Sequence, residues 1–200
     1  MSHFIGLVFV NTNENNLETM LEPYDEQDER YMDFEDRTEE VEAEYDGLPD
    51  ESKDGRDKVH YPDIDNFAEA YFGYEKNLAG RYGYYHNLNA KWDWYAIGNR
   101  WDGYLIAKNG INYNQLDFDD VDWEKMFAED EDGWNRIPFC LVDADGIWHE
   151  KGEMGWFGMS FNDKEADVWE KEVKTYIQQL AELPEDDREA IVVYAVDFHI

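Results

Sequence analysis

Apolar positions run almost unbroken through the first ten residues, His3-Phe-Ile-Gly-Leu-Val-Phe-Val10, and an Asn/Thr-rich stretch at 11–16 ends them. A short run of β-branched and aromatic residues bounded by turn formers predicts a buried strand. Residues 191–200 are also nearly all apolar, which predicts a second strand covered on both faces. The clearest helical spacing lies at 163–183, where Ala166, Trp169, Val173, Tyr176, Ile177 and Leu180 share one stripe. Asn162 stands as its N-cap, with Glu165 three residues on and Pro184 beyond the end. Shorter helices are predicted at 15–21, from Thr38, at 65–74 with Phe67, Ala70, Tyr71 and Tyr74 inward, and at 119–128 with Trp123 and Phe127 inward. Residues 31–34 are strand-like. Asn109-Gly110 predicts a turn joining 104–108 to 111–113, and 143–146 has the composition of a turn between strands at 137–142 and 146–150.

This pattern predicts an α+β fold. A largely antiparallel or mixed sheet holds the N- and C-terminal strands at its centre, with helices packed on it. Neither a repeat nor an interdomain linker is visible, so the expectation is one domain over 1–200. An acidic, partly irregular insertion interrupts it at about 24–65, where eighteen acids face five bases. Its 48–58 stretch, rich in Pro, Gly, Ser and alternating charge, is expected to be mobile.

Charge changes the picture most. Seventeen Lys and Arg against 49 Asp and Glu give a net charge of −32. Affinity for nucleic acid comes from cations that neutralise phosphates, so direct nucleic-acid binding is excluded, and an anionic membrane surface repels this chain likewise. With 42% hydrophobic and 16% aromatic residues, the chain is nonetheless too rich in core formers to be a disordered tail. The apolar stretch at the start ends by Val10 and has no basic flank, so neither a signal peptide nor a membrane span is expected, and the predicted location is the cytoplasm. The single cysteine, Cys140, lies in an apolar run and reads as a small buried hydrophobe.

Three groups of residues carry possible chemistry. On a C-terminal strand Asp197 and His199 point the same way, and an antiparallel first strand brings His3 beside them. That grouping suits a metal or acid–base site; the plainer alternative is polar residues meeting water at a strand end. The second group is Trp148-His149-Glu150-Lys151-Gly152-Glu153-Met154-Gly155-Trp156-Phe157-Gly158. Here His149 with Glu150 or Glu153 has the donors for a metal or a carboxylate-oriented base, against a loop that merely turns on its glycines. The metal candidates are thus His3, His149, Asp197 and His199, though the sequence requires no divalent metal; the catalytic candidates are His149, Glu150, Glu153, Asp197 and His199. The third group is Lys91, Trp92, Trp94, Tyr95, Arg100 and Trp101, to which Trp156 is added. Flat rings interleaved with cations suit a nucleobase and its phosphate, while alternation of Trp and Asp equally describes a strand with one buried face.

The segments 1–4, 21–26, 87–101, 148–158 and 196–200 together resemble a widespread group of uncharacterised bacteriophage and prophage proteins. That group more often carries Asn-Pro-Asn-Ala-Lys-Trp, Ile-Gly-Gly-Arg-Trp and Asp-Cys-His-Ile, where this chain has Leu88, Asn99 and Phe198 at the Pro, second Gly and Cys positions. The resemblance implies a phage-encoded cytoplasmic accessory protein and brings no activity with it. Phe198 in place of Cys argues against a thiol mechanism at the C-terminus.

Two function classes follow. The leading one is a non-enzymatic acidic binding or inhibitor protein that occupies a basic surface on a host protein, a defence or nucleic-acid-processing factor, by imitating nucleic acid. Its acids concentrate in 24–65 and in 116–132, the latter holding nine. The alternative is a small-ligand (nucleotide) or metal-binding protein, with hydrolysis as one outcome, using the His149/Glu153 and Asp197/His199 motifs and Arg100 to grip an anionic substrate.

Overall fold

A computed structural model of the chain describes every residue except Met1, Asp57, Lys58 and Asp132, together with the side chain of Trp156. The fold is α+β. Two compact units form, Gln27–Leu88 and the remainder, which joins residues up to Glu26 with those from Asn89 onward.

In the larger unit the terminal strands lie at the centre of a mixed sheet, as the apolar runs predict. His3–Asn11 pairs antiparallel with Ile191–His199 over its whole length, His3 opposite His199 and Asn11 opposite Ile191. Cys140–Val142 lies parallel to the first strand on its other side and is followed outward by Trp148–Glu150. Trp94–Ile97 and Gln115–Asp117 pair with different stretches of the last strand.

Both faces of the central strands are covered. Ile5, Leu7, Phe9, Ile191, Val193 and Ala195 join the core that receives the long helix Ala166–Ala181 through Trp169, Val173, Ile177 and Leu180. The Trp169 indole Nε1 donates to the Pro138 carbonyl at 2.7 Å, which satisfies the one polar atom of a fully buried ring. On the opposite face Phe4, Val8, Val10, Val196 and Phe198 pack against Met20 and Leu21 of the helix Leu17–Leu21 and against Trp92. Gly6 lies in this crowded layer: a Cβ there would sit 2.5 Å from the Phe198 ring and 2.6 Å from the Cys140 sulfur. Burial pushes the Cys140 thiol well above its ordinary pKa, so it stays a protonated core residue.

Several local expectations shift for identifiable reasons. Asn162 does not cap the long helix; it adopts φ 54° before it, and Glu165 takes the N-cap position without a side-chain bond. Asn16 does cap Leu17–Leu21, in a reciprocal pair with Thr19. Asn109-Gly110 turns Leu105–Ile106 back onto Asn112–Tyr113, with Gly110 at φ 81°.

The acidic segment is more ordered than its composition implies and extends further. In Gln27–Leu88, Tyr82–Asn87 is the middle strand between Met32–Asp36 and Glu75–Lys76. The helix Thr38–Asp46 buries Val41 against Phe67, Ala68 and Tyr82. Within the 48–58 stretch, Asp50–Lys53 forms a helical turn that buries Ser52; Asp57 and Lys58 lie outside the described residues. The helix Ile64–Phe67 continues as a π-helical turn, Ala68–Phe72. Its wider winding breaks the 3.6-residue stripe, so Phe67 and Ala68 face the core while Ala70 and Tyr71 are exposed.

Candidate functional site

The antiparallel register of the first and last strands brings together residues from the two ends of the chain. His3 Nδ1 lies 3.0 and 3.2 Å from the two carboxylate oxygens of Asp197. An ionised carboxylate only accepts, so Nδ1 carries the hydrogen and Nε2 is the acceptor of the neutral ring. His199 is held the same way: its Nδ1 bonds Asp93, whose own N–H donates to the His199 carbonyl at 3.0 Å. The two imidazoles stand edge to face with centroids 4.9 Å apart, and Trp94 stacks on His199 at 5.0 Å and meets His3 edge-on at 5.3 Å.

Asp197 is fully buried and is answered by three donors. Besides His3 they are the Asn99 side-chain amide at 2.7 Å and the Arg100 backbone N–H at 3.4 Å. The turn that supplies them requires its residues. Gly98 has φ 73°, and a Cβ on it would lie 2.4 Å from the Asn114 amide. Asn99 follows at φ 52°, a left-handed conformation that asparagine tolerates better than most residues. The Arg100 guanidinium is exposed and takes no partner among the described residues, in a chain where acids outnumber bases almost three to one. The other six arginines all bond through their guanidinium groups: Arg30, Arg37 and Arg56 to acids two residues before them, Arg81 to Asp36, Arg136 to the Gly103 and Tyr104 carbonyls and Arg188 to Asp119.

The remaining predicted residues separate. His149 is on the same sheet face as His199 but beside Leu141, which is level with Leu7 rather than His3. Its partner is neither Glu150 nor Glu153 but Asp143, 2.8 Å from Nε2. Glu150 points to the opposite face, where it accepts from Lys91 at 2.6 Å and the Trp148 indole at 2.8 Å. Lys91, Glu150 and Glu153 border a small cavity of about 240 Å³ with Phe4 and Met154. Trp92 is buried in the core that holds Phe4 and Phe198, and Trp101 packs against the core on the opposite face, each with an indole N–H buried without a partner among the described residues, so neither is an open platform. Tyr95 is half-buried with its ring edge on Trp92. Trp94 is 40% exposed, and it is the ring of this motif that faces the histidines. The side chain of Trp156 lies outside the described residues. Its backbone is in the turn Trp156–Gly158, fastened by the Ser2 hydroxyl, which donates to the Gly155 carbonyl and accepts from the Gly158 N–H.

Among the described residues no three His, Cys, Asp or Glu side chains are disposed to hold one metal ion. His3 and His199 each direct Nδ1 to a separate carboxylate, which makes two couples rather than one shared coordination sphere. What the arrangement offers is two oriented rings: with each Nδ1 directed to a carboxylate, each Nε2 is left as an acceptor suited to proton transfer. Sequence reading missed Asp93, Asn99 and Asp143. Asp93 follows from strand pairing alone, because the residue just before Trp94–Ile97 bonds across to His199.

Among the described residues no helix is long and apolar enough to cross a membrane. Comparison with protein-family models, curated proteins and solved structures gives no match.

Proposed function

We propose that His3, Asp197, His199 and Asp93, with Arg100 and the open part of Trp94, form a site for a small phosphate-bearing ligand of the nucleotide type, and that the two imidazoles move protons on it. One observation carries this reading: two carboxylate-oriented histidines lie 4.9 Å apart, and Arg100, whose backbone N–H bonds the same Asp197, has an exposed guanidinium without a partner among the described residues. The guanidinium meets the anion, an imidazole Nε2 accepts a proton, and the indole offers a face to a base. Thermal stability measured against nucleotides and inorganic phosphate tests it. A ligand at about 100 times its Kd adds about 2.7 kcal/mol, a shift of about 5–10 °C for a chain of this size. The shift should vanish in Arg100→Ala and His199→Ala; equal shifts in both variants would refute the assignment.

A second reading is favoured by a separate observation. Along the helix Thr38–Asp46, Glu39, Glu42, Glu44 and Asp46 are exposed, and their carboxylates form no ion pair among the described residues. Together with the phage resemblance, this supports an acidic protein that docks on a basic surface of a host factor in place of nucleic acid. Such binding weakens steeply with salt and competes with DNA or RNA; salt-insensitive binding would remove this reading.

A further inference from the structure

Within Gln27–Leu88 a cleft of about 870 Å³ opens between the Ile64–Phe72 helical segment and the strand Tyr82–Asn87. Its walls carry four tyrosines, Tyr74, Tyr82, Tyr84 and Tyr85, and four carboxylates, Glu29, Asp65, Glu69 and Glu75. Such carboxylates on an open surface would be an ordinary solvated face; the tyrosines that line the same cleft are what distinguish this place.

Three of the rings are fixed through their hydroxyls. Tyr82 donates to Asp65, Tyr84 to Glu35 at 2.9 Å and Tyr74 to Glu40 at 3.4 Å, and the Tyr74 and Tyr84 rings stack 5.5 Å apart. A phenol that donates to a carboxylate has a more electron-rich ring and attracts a cation more strongly. The chain supplies one example itself: the Lys76 ammonium sits 2.7 Å from Asp65 and 4.9 Å from the centre of the Tyr82 ring. Among the described residues Lys76 is the one cation on the walls and its only ion pair there is with Asp65, so Glu29, Glu69 and Glu75 have none.

Among the described residues no three of these carboxylates are grouped for one metal ion. Separated charges joined by aromatic and aliphatic surface match an extended organic cation rather than an inorganic one. We propose that this cleft binds a linear aliphatic polyamine, its ammonium groups meeting Glu29, Glu69 and Glu75 in turn and its methylenes lying on the tyrosine rings. The Lys76 contact with Asp65 and Tyr82 is the internal version of the same recognition.

Calorimetric titration of the whole chain with spermidine at physiological ionic strength tests the proposal, because a charge of −32 attracts any polycation and the controls must separate site from atmosphere. Glu69→Gln/Glu75→Gln should weaken binding about tenfold. Glu182→Gln/Glu189→Gln, which removes the same charge from exposed positions elsewhere, should leave it unchanged. Tyr85→Leu, a half-exposed position with no change in charge, should weaken it about threefold. Magnesium at equal charge should not displace spermidine. If both Gln pairs have the same effect, or if magnesium competes on equal terms, the cleft is not a polyamine site.

Discussion

His3 and Asp197 stand 194 positions apart in the chain and share a hydrogen bond of 3.0 Å inside the fold. The bond exists because the first and last strands pair in full register, so that the end of one lies beside the beginning of the other. Asp197 has no exposed surface, and each donor it loses leaves a buried carboxylate less well answered. His3→Ala should therefore cost about 1–3 kcal/mol in denaturant unfolding. Asn99→Gly should cost less, because the lost amide bond is partly offset by glycine's ease at φ 52°.

Gly6 marks the closest approach in the opposite layer. Gly6→Ala places a methyl group within 2.6 Å of both the Phe198 ring and the Cys140 sulfur, neither of which can withdraw from a packed core. A loss of about 2–3 kcal/mol is expected. Pairing with Cys140→Ala should recover part of it, and a double-mutant cycle measures how much.

Asp36 supplies a pH dependence in the smaller unit. The Thr38 hydroxyl and N–H, with the Arg81 guanidinium, hold its carboxyl at about 2, below its ordinary 3.8. A depressed carboxyl contributes stability that is complete above its ordinary pKa and is lost as pH falls through the folded value, here from about pH 4 down to 2. The stability difference between the native chain and Asp36→Asn should be constant above about pH 5 and shrink steadily below pH 4. A difference that does not change across this range would contradict the assignment.

Trp169 links the long helix to the segment leading into the strand Cys140–Val142 through one buried hydrogen bond. Trp169→Phe keeps the ring in the core but leaves the Pro138 carbonyl without its 2.7 Å donor. Thermal unfolding should show a loss of about 2–4 kcal/mol from the unsatisfied acceptor together with the reduced packing.

The sequence makes the central sheet legible because both terminal strands are continuous apolar runs, and no helix pattern competes with them. His3, Asp197 and His199 follow from that pairing plus side-chain alternation. What cannot be read is anything that depends on which turn closes where. Asn99 reaches Asp197 only because Gly98 reverses the backbone first. His149 chooses Asp143 because that carboxylate is pinned by the N–H groups of Asp145 and Ile147 at 3.0 and 2.9 Å. The aromatic stripe expected over 65–74 fails where the helix widens into a π turn, a change of winding that residue spacing does not announce. Trp92 and Trp94, two residues apart, have opposite fates because the strand begins only at Trp94.

The proposed site joins His3 and His199 with Arg100 around one ligand. Nitrogen-resolved NMR of the five imidazoles during titration with a nucleoside monophosphate addresses it directly. The rings of His3 and His199 should shift together and saturably, those of His60, His86 and His149 should stay in place, and Arg100→Ala should abolish the response. Unmoved His3 and His199 resonances, or a response that survives in Arg100→Ala, would rule out a shared site.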